Sequence, residues 1–368
     1  MTNKIFSQYP SQMDISFSEN CNLACKYCFV KKTNSAILDL PSVQKAVDIF
    51  FSFPPKKKTI TFTTCEPFLD QELFKQSITY ILRKSKNRDF QLQIVATTNG
   101  TLLNDKTITF LNKYLNDKFI LNIGLDGAKK SNDAYRIFKT DHTKSVFADS
   151  WKNFKKLPRQ KVRVISTITP SEVSSLGENT KFFLKNGFEN IDFFPQIFTF
   201  WSKDNLKKLS AELTYIIECF NDKTTYNGEL RLLNRLWGRS DYRSILFSGD
   251  RKFYLFEWVL PLPHKAREEY IIGDIDTGLN LKKRKSIFLK LFSEFSKKSN
   301  QCMQCDINDF CSYPLPLYLW SQYYKKDFNK YFDNFCNVAR TMVNLSKKIK
   351  SQDKTDREKW THAKKTNK

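Results

Sequence analysis

Three cysteines near the start of the chain have the clearest chemical potential: Cys21, Cys25 and Cys28. They follow a predicted strand, so one short loop would carry all three thiols. Three thiolates can hold three irons of a cubane cluster and leave the fourth iron without a protein ligand, so that this iron is open to a small molecule. The alternatives are a zinc ion with a distant fourth ligand, or buried thiols without a metal.

A second group of cysteines lies near the C-terminus. Cys302, Cys305 and Cys311 have two and five residues between them, and Cys336 follows 25 residues after the third. Closely spaced thiolates with one distant fourth ligand suit either a four-cysteine zinc site or a four-cysteine iron–sulfur site. The chain has nine cysteines, only three histidines and no secretion signal, so thiolate metal or redox sites are favoured over disulfides.

Strands and helices alternate over the first 222 residues. We predict strands at 13–18, 59–63, 92–97, 119–124, 162–168 and 191–195, with amphipathic helices between them. Strands that alternate with helices predict an α/β fold, a parallel sheet with right-handed crossovers. Periodicity alone does not separate a partial barrel from an open doubly wound sheet.

The alternation ends near Lys223. An irregular stretch with several Gly and Pro residues leads to the second cysteine group, and a helical region at 317–349 follows, interrupted near Lys326. We therefore predict an α/β domain at 1–222, a cysteine-containing auxiliary domain at 223–345 and a basic, disordered tail at 346–368.

The formal net charge is +23, and the tail contributes six of these charges because it has nine Lys/Arg and three Asp/Glu. A solvated basic surface is the favoured interpretation, and docking of an acidic peptide, an acidic protein or a nucleic acid are the alternatives. No basic and aromatic RNA-binding motif is present, so nucleic acid is not an expected partner. Because the sequence has no 18-residue apolar run and no signal-peptide core, we predict a cytoplasmic protein without a membrane partner.

Several segments together resemble the radical S-adenosylmethionine (SAM) superfamily. The cysteine triplet has an aromatic residue, Tyr27, directly before its last cysteine, as that family does. Further matches are residues 63–69 with the family's Gly-Gly-Glu-Pro segment, residues 97–100 with Thr-Asn-Gly, and residues 121–127, Asp133 and Arg136 with the Ser-Leu-Asp-Gly…Asp…Arg signature of peptide-modifying members.

The resemblance implies a partial (β/α)6 barrel with a [4Fe-4S] cluster on the triplet and SAM at the open iron. Reductive cleavage of SAM would give a 5′-deoxyadenosyl radical that takes a hydrogen atom from the substrate. The residues expected to contact SAM are Glu66, Asn99, Asp126, Arg136 and Thr167. Glu66 would accept a hydrogen bond from the methionyl amine and Arg136 would pair with the carboxylate. Asn99 and Thr167, at strand ends, would face the sulfonium or the ribose.

Three positions depart from the family's pattern. Thr64 and Cys65 replace paired glycines, and Gly124 replaces a serine. Glycines let the backbone approach the methionyl group closely, so we expect Thr64 and Cys65 to narrow that space. SAM would then bind differently, or the protein would have lost turnover. Cys65 is interpreted as a small buried side chain rather than a reactive thiol.

The second cysteine group resembles the SPASM extension of radical SAM enzymes that act on peptides and proteins. In that extension seven cysteines hold two auxiliary clusters. The ligands of the outer cluster correspond to Cys302, Cys305, Cys311 and Cys336, whereas position 315 is Leu and residues 253–281 contain no Cys, so the ligands of the inner cluster are missing. We therefore predict one auxiliary [4Fe-4S] cluster, with zinc as the alternative.

The leading hypothesis is a radical SAM oxidoreductase that cross-links or oxidises a side chain of a peptide or protein, as in the maturation of ribosomally made peptides. Its partners would be that substrate and a reductase such as flavodoxin or ferredoxin. The alternatives are modification of RNA or a small molecule, or a degenerate, non-catalytic partner of a peptide maturase. Because 12 residues precede the first predicted strand, we expect a substrate leader to dock on the barrel or on a separate partner.

Overall fold

An eleven-stranded sheet organises the described part of the chain. The computed structural model describes residues 6–30, 36–116, 118–221, 229–231, 243–299, 302, 304–307 and 314–346. The strands are β1 Gln12–Ile15, β2 Lys57–Phe62, β3 Gln91–Thr98, β4 Phe119–Gly124, β5 Val162–Ile168, β6 Asn190–Pro195, β7 Glu229–Arg231, β8 Ser244–Phe247, β9 Lys252–Tyr254, β10 Ile271–Asp274 and β11 Gly278–Leu279.

The helices are α1 Leu40–Phe51, α2 Gln71–Ser85, α3 Asp105–Tyr114, α4 Lys129–Tyr135, α5 Val146–Phe154, α6 Leu176–Lys185, α7 Lys203–Asn221, α8 His264–Arg267, α9 Leu281–Lys298, α10 Pro314–Tyr323 and α11 Phe328–Ser346. Short 3-10 turns occur at Pro67–Asp70, Val173–Ser175, Glu257–Val259 and Glu268–Tyr270. No helix of the described residues is long and apolar enough to cross a membrane.

The strand order is β11-β10-β9-β8-β1-β2-β3-β4-β5-β6-β7. Strands β8 and β1 to β7 pair in parallel, whereas β8, β9, β10 and β11 pair antiparallel to one another. The six strands predicted from the sequence are β1 to β6, so the α/β prediction with a parallel sheet is confirmed. Because these strands run in the same direction, their carboxyl ends lie along one edge of the sheet.

Capping side chains and apolar stripes define the helices between these strands. Helix α1 begins where the Asp39 side chain accepts a hydrogen bond from the Ser42 backbone N–H, and Pro41 occupies its first turn. Its apolar side chains at helical spacing, such as Val43 and Val47, are fully buried against the sheet. Helices α2 and α3 likewise begin at capping side chains, Asp70 and Asn104, and bury apolar residues at helical spacing.

Strand β1 ends earlier than predicted, at Ile15 rather than at Ser18. The hydroxyl of Ser16 donates to the carbonyl of Ser18 at 3.0 Å, and this local bond turns the chain out of the sheet. The turn leads directly into the cysteine triplet.

The region after residue 222 is more regular than the sequence predicted. It contains β8, which lies beside β1 with Gln12 opposite Ser244, and the 18-residue helix α9. Helices α10 and α11 match the predicted helical region and its break near Lys326. The division at residue 222 stays a prediction, and so does the tail, of which residues 347–368 lie outside the described residues.

Candidate active site at the cysteine loop

The cysteine triplet lies on an irregular loop, residues 21–28, that follows β1 at the carboxyl edge of the parallel strands. The loop is fixed by the segment after α4, because the backbone N–H of Ala24 donates to the carbonyl of Ile137 at 2.8 Å and that of Lys26 to Tyr135 at 2.9 Å. Between the first two cysteines, Leu23 is fully buried against Phe138 and Val146. The buried leucine anchors the loop, whereas its neighbours remain accessible.

The three thiols are accessible to different degrees: Cys21 and Cys25 are half-buried and Cys28 is exposed. Two N–H groups approach the Cys21 Sγ, namely the Leu23 backbone N–H at 3.4 Å and the Asn99 side-chain amide at 3.8 Å. Hydrogen bonds to sulfur stabilise a thiolate and tune an iron–sulfur cluster. Three accessible thiols on one loop, with donors directed at sulfur, therefore fit the cluster that the sequence predicts.

Within the described ranges, no three Cys, His, Asp or Glu side chains converge as the ligands of one metal ion would. In a cubane each thiolate binds a different iron, so its ligands stand further apart than those of a single ion. The assignment of the three cysteines as ligands stays a prediction.

Glu66 connects the ends of β2 and β3. Its carboxylate accepts hydrogen bonds from the Phe68 backbone N–H at 3.1 Å, the Thr98 hydroxyl at 2.9 Å and the Asn99 backbone N–H at 2.7 Å. Burial raises the pKa of Glu66 to about 7, although these three hydrogen bonds oppose the shift. The buried carboxylate is thus part of the framework next to the loop, and its expected contact with the methionyl amine stays a prediction.

Asn99 joins the end of β3 to the cysteine loop. Its side-chain amide donates to the Asn22 side-chain oxygen at 2.9 Å and also approaches Cys21, while its own oxygen accepts from the Thr101 backbone N–H at 2.9 Å. The sequence analysis placed Asn99 opposite the sulfonium or the ribose of SAM. In the structure the Asn99 side chain holds the cysteine loop through these hydrogen bonds. Its expected contact with SAM stays a prediction.

Asp126 accepts hydrogen bonds from three separate segments. The Tyr27 hydroxyl donates at 2.5 Å, the Arg136 guanidinium donates at 2.8 and 3.0 Å, and the Thr167 backbone N–H donates at 2.9 Å. Burial raises the pKa of Tyr27 well above its ordinary value, and the Asp126 carboxylate adds to the shift while Arg136 opposes it. Asp126 therefore ties the cysteine loop to the ends of β4, α4 and β5.

Arg136 is positioned differently from the simplest expectation. Two of its nitrogens bond to Asp126, and the pair is buried, with side chains 9% and 5% exposed. Asp126 already neutralises the Arg136 guanidinium, so Arg136 is not an unpaired cation next to the expected position of the SAM carboxylate. Pairing of Arg136 with the carboxylate of SAM stays a prediction.

The second cysteine group lies between the end of α9 and α11. Cys302, Cys305 and Cys336 are half-buried and pack against the hydrophobic core. Burial raises the pKa of Cys302 and of Cys336 to about 12, and the neighbouring Cys305 contributes to both shifts. The Arg340 guanidinium donates to the Cys305 Sγ at 3.7 Å. Cys302, Cys305 and Cys336 lie near enough together to influence the pKa of Cys302 and of Cys336, and Cys311 lies outside the described residues. The assignment of these four cysteines as ligands stays a prediction.

Residues 15–171 match the family model described as the radical SAM superfamily. The match begins at the last residue of β1 and contains β2 to β5, the cysteine loop and every residue predicted to contact SAM. Over these residues the chain is similar to the radical SAM superfamily.

The relatives of this chain are distant in sequence. A cysteine-type anaerobic sulfatase-maturating enzyme of Clostridium novyi (strain NT) is 27% identical over 187 residues, which are 48% of this chain and 49% of that enzyme. The uncharacterized protein MJ0907 of Methanocaldococcus jannaschii is 26% identical over 181 residues, 49% of this chain and 60% of that protein. The chain thus spans about half the length of the first of these relatives.

Solved structures extend the likeness over most of the chain. Native anSMEcpe with bound AdoMet has a TM-score of 0.63 at 17% identity and covers 90% of this chain and 100% of its own. Streptococcus suis SuiB bound to precursor peptide SuiA has a TM-score of 0.59 at 14% identity and covers 84% of this chain and 72% of its own. At these identities the likeness shows the fold, an α/β fold with the parallel sheet core of a radical SAM partial barrel.

The departures from the radical SAM pattern have a structural explanation at Gly124. A Cβ atom at Gly124 would lie 2.4 Å from Nη1 of Arg136. Any side chain here, including the serine of the family, would displace the guanidinium from its present position. Gly124 and the Asp126–Arg136 pair therefore belong together.

The backbone at Thr64 keeps a conformation that favours glycine. Its φ is 78°, in the left-handed region, where a β-branched residue is strained by about 1–2 kcal/mol. The following residue, Cys65, packs against the core but is only half-buried, which is less than the burial predicted from the sequence. Its interpretation as an unreactive thiol stays a prediction. The backbone at position 64 thus has the conformation that suits the glycine of the family's pattern, although the residue is Thr.

Sequence reasoning missed the partners of these residues. Asn22, Thr98 and the Tyr27 hydroxyl take part in the network, but nothing in their spacing identified them. Tyr27, which lies between Cys25 and Cys28, offered a usable signal. A buried tyrosine hydroxyl needs a hydrogen-bond partner, so an acceptor near the loop could have been predicted.

Proposed function

We propose that this chain is a radical SAM enzyme that modifies a side chain of a peptide or protein. The observation that carries the proposal is the accessible three-cysteine loop of a radical SAM domain, joined to the strand ends by Asn99 and Asp126. The loop and its supports lie at the carboxyl ends of parallel strands, where α/β folds bind their ligands.

In this proposal Cys21, Cys25 and Cys28 hold a [4Fe-4S] cluster, and Glu66, Asn99, Asp126, Arg136 and Thr167 surround the SAM bound to it. When bound there, cluster and SAM supply a 5′-deoxyadenosyl radical for hydrogen abstraction from the substrate. The chain's own contribution is rigidity: Glu66 fixes the ends of β2 and β3, and Asp126 fixes Tyr27 against the ends of β4 and β5.

The substrate class is inferred from the fold. Solved structures with this fold include SuiB bound to precursor peptide SuiA, and native anSMEcpe with bound AdoMet and Cp18Cys peptide. The relative from Clostridium novyi is a sulfatase-maturating enzyme. These neighbours support a peptide or protein substrate for this chain, with electrons delivered by a reductase such as flavodoxin or ferredoxin.

The second cysteine group would hold one auxiliary [4Fe-4S] cluster. Its ligands would be Cys302, Cys305, Cys311 and Cys336. Arg340 next to Cys305 would stabilise the negative charge of the ligands. Zinc is the alternative occupant of four thiolates.

Metal analysis and SAM cleavage together test the proposal. After anaerobic reconstitution we expect about eight iron and eight sulfide per chain, and reduction with dithionite in the presence of SAM should yield 5′-deoxyadenosine. Four iron with one zinc would assign zinc to the second group. If the reduced, reconstituted protein forms no 5′-deoxyadenosine with or without candidate peptides, the enzymatic proposal is wrong and a non-catalytic scaffold is the better description.

A further inference from the structure

One segment of the region after the first six strands contacts the cysteine loop at both of its ends. This segment, residues 257–270, contains α8 and the two 3-10 turns beside it. Arg267 of the segment pairs with Glu19, two residues before the first cysteine, and Trp258 stacks on Phe29, directly after the last one. The loop is therefore held between two contacts that come from a single, short stretch of chain.

The contact at the start of the loop is a buried ion pair with a fixed geometry. The side chains of Arg267 and Glu19 are 2% and 8% exposed, and Nη1 of Arg267 donates to the Glu19 carboxylate. The other nitrogens of Arg267 are also engaged, since Nε donates to the carbonyl of Leu262 at 2.8 Å and Nη2 to that of Leu260 at 2.7 Å. Because all three nitrogens donate hydrogen bonds, the guanidinium is held in a single orientation. Its bond to Glu19 holds the Glu19 side chain in place as well.

The contact at the end of the loop is apolar. The rings of Phe29 and Trp258 have centroids 5.1 Å apart and an interplanar angle of 29°. Trp258 is buried, at 7% exposed, so the half-buried Phe29 ring packs on a buried side chain. Phe29 also lies edge-on to Phe198, with centroids 6.1 Å apart.

The segment is itself fixed by the C-terminal end of α10, the helix that lies between Cys311 and Cys336 in the chain. The hydroxyl of Tyr324 donates to the carbonyl of Pro261 at 2.6 Å, and that of Tyr323 to the carbonyl of Ala266 at 3.3 Å. A continuous set of contacts therefore leads from α10 through residues 257–270 to the cysteine loop.

We propose that Arg267 is a positioning residue for the cysteine loop, and that together with Trp258 it holds the three thiols in the arrangement that a cluster requires. The inference rests on the proposed function of the loop. Partners that orient metal ligands are worth about 10- to 100-fold in metal affinity, because a ligand that is already in place loses less entropy on binding. Arg267 acts on the ligands through Glu19 and the backbone, without touching them.

The test compares a buried with an exposed ion pair, each of which joins a residue after β8 to a residue before α1. Arg267→Met alone would leave the Glu19 carboxylate buried without its partner and could prevent folding, so the variant is Glu19→Gln combined with Arg267→Met, which removes both charges. The control is Arg251→Met, which removes the ion pair between Arg251 and Asp39, with side chains 57% and 49% exposed and a distance of 2.9 Å.

Two measurements separate positioning from general stability. The first is hydrogen exchange of the apoprotein, in which the amides of Ala24, Lys26 and Cys28 are protected by the bonds of the loop. We expect residues 19–29 to exchange about tenfold faster in the double variant than in the control, while β2 to β6 are unchanged. The second is the loss of cluster to a chelator under anaerobic conditions, which we expect to be about tenfold faster, with an altered EPR signal on addition of SAM.

Equal exchange and equal cluster loss in the double variant and the control would overturn the inference. If the double variant does not fold, Trp258→Leu tests the other end of the loop, and unchanged exchange of residues 26–29 in that variant would overturn the inference as well. A wild-type chain that binds no cluster on the loop would instead refute the proposed function, while the exchange experiment still decides whether Arg267 holds the loop.

Discussion

Both cysteine groups contain half-buried thiols, but the residues around the two groups differ. The first lies on an accessible loop at the edge of the sheet, next to the polar network of Glu66, Asn99 and Asp126. The second packs against the hydrophobic core, and burial raises the pKa of Cys302 and Cys336 to about 12. A thiol with such a pKa is protonated at neutral pH and becomes a ligand only when a metal displaces its proton.

This difference separates two uses of the same residue type. A site that exchanges a small molecule needs access and fixed polar groups, and the first group has both. A closed site needs only to retain its metal, and an apolar environment that excludes water serves that purpose. This difference agrees with the proposal that the first group carries the chemistry and that the second transfers electrons or supports the structure.

Removing one cysteine from each group tests most directly whether the two groups have different roles. Cys25→Ala should abolish formation of 5′-deoxyadenosine and lower the iron content by about four per chain. Cys336→Ala should lower the iron content by a similar amount, yet 5′-deoxyadenosine should still form in the absence of a peptide. Cys219→Ala, which changes a cysteine of α7 outside both groups, is the control for the loss of a thiol. Retained cleavage in Cys25→Ala would contradict the assignment of the loop.

The polar network beside the first group should be essential for stability as well as for geometry. In Asp126→Asn the buried guanidinium of Arg136 loses its counter-charge and the hydroxyl of Tyr27 loses a strong acceptor, so we expect the free energy of unfolding to fall by about 3–5 kcal/mol. Asp141→Asn is the control, because Asp141 is exposed and accepts hydrogen bonds from Thr143 within the same turn. Urea unfolding monitored by circular dichroism measures both. A loss of less than 1 kcal/mol in Asp126→Asn would show that the network is not what joins the loop to the strands.

Glu66 gives the first group a pH dependence. Its pKa in the folded chain is about 7, above the ordinary value of 4.5, so the folded state binds the proton more tightly than the unfolded state does. The stabilisation from this proton is complete below pH 4.5 and is lost as the pH rises to about 7; the difference corresponds to about 3 kcal/mol.

Denaturant unfolding at pH 5 and pH 8 checks this expectation. Between these two pH values the wild-type chain should lose more stability than Glu66→Gln, by about 2–3 kcal/mol, because the variant has no proton to release. The exposed Glu178→Gln on α6 should behave like the wild type. If the free energy of unfolding changes equally between pH 5 and pH 8 in the wild type and in Glu66→Gln, the Glu66 carboxyl titrates like an exposed one.

Sequence reasoning reached the parts of the molecule that depend on local patterns. Strands β1 to β6 followed from alternation, and the cysteine loop followed from spacing after a strand. It missed the contacts that join distant segments, such as Arg267 with Glu19, which are 248 positions apart. Nor does spacing reveal that Gly124 makes room for Arg136, since that requirement arises only when β4 and the end of α4 are folded together.

Helix α9 was missed for a different reason. Its buried side chains, which include Phe288, Leu291 and Phe295, recur at helical spacing, and Asn280 caps its first turn. The signal was therefore present in the sequence. Many lysines between the apolar positions and the Gly and Pro residues upstream made the stretch look irregular.

The smallest expected effect concerns the strained turn beside the first group. Thr64→Gly removes a β-branched side chain from a residue with φ 78°, and we expect the free energy of unfolding to rise by about 1 kcal/mol, because the relief of strain exceeds the entropy that glycine adds to the unfolded chain. Asn87→Gly is the matched control: Asn87 has φ 61°, but asparagine tolerates this region, so the gain there should be smaller. Thermal unfolding compares the two variants, and isothermal titration with SAM after reconstitution shows whether the glycine also improves binding. If Thr64→Gly is no more stable than Asn87→Gly, the turn at the end of β2 stores no strain, and the replacement of the family's glycine has no energetic cost.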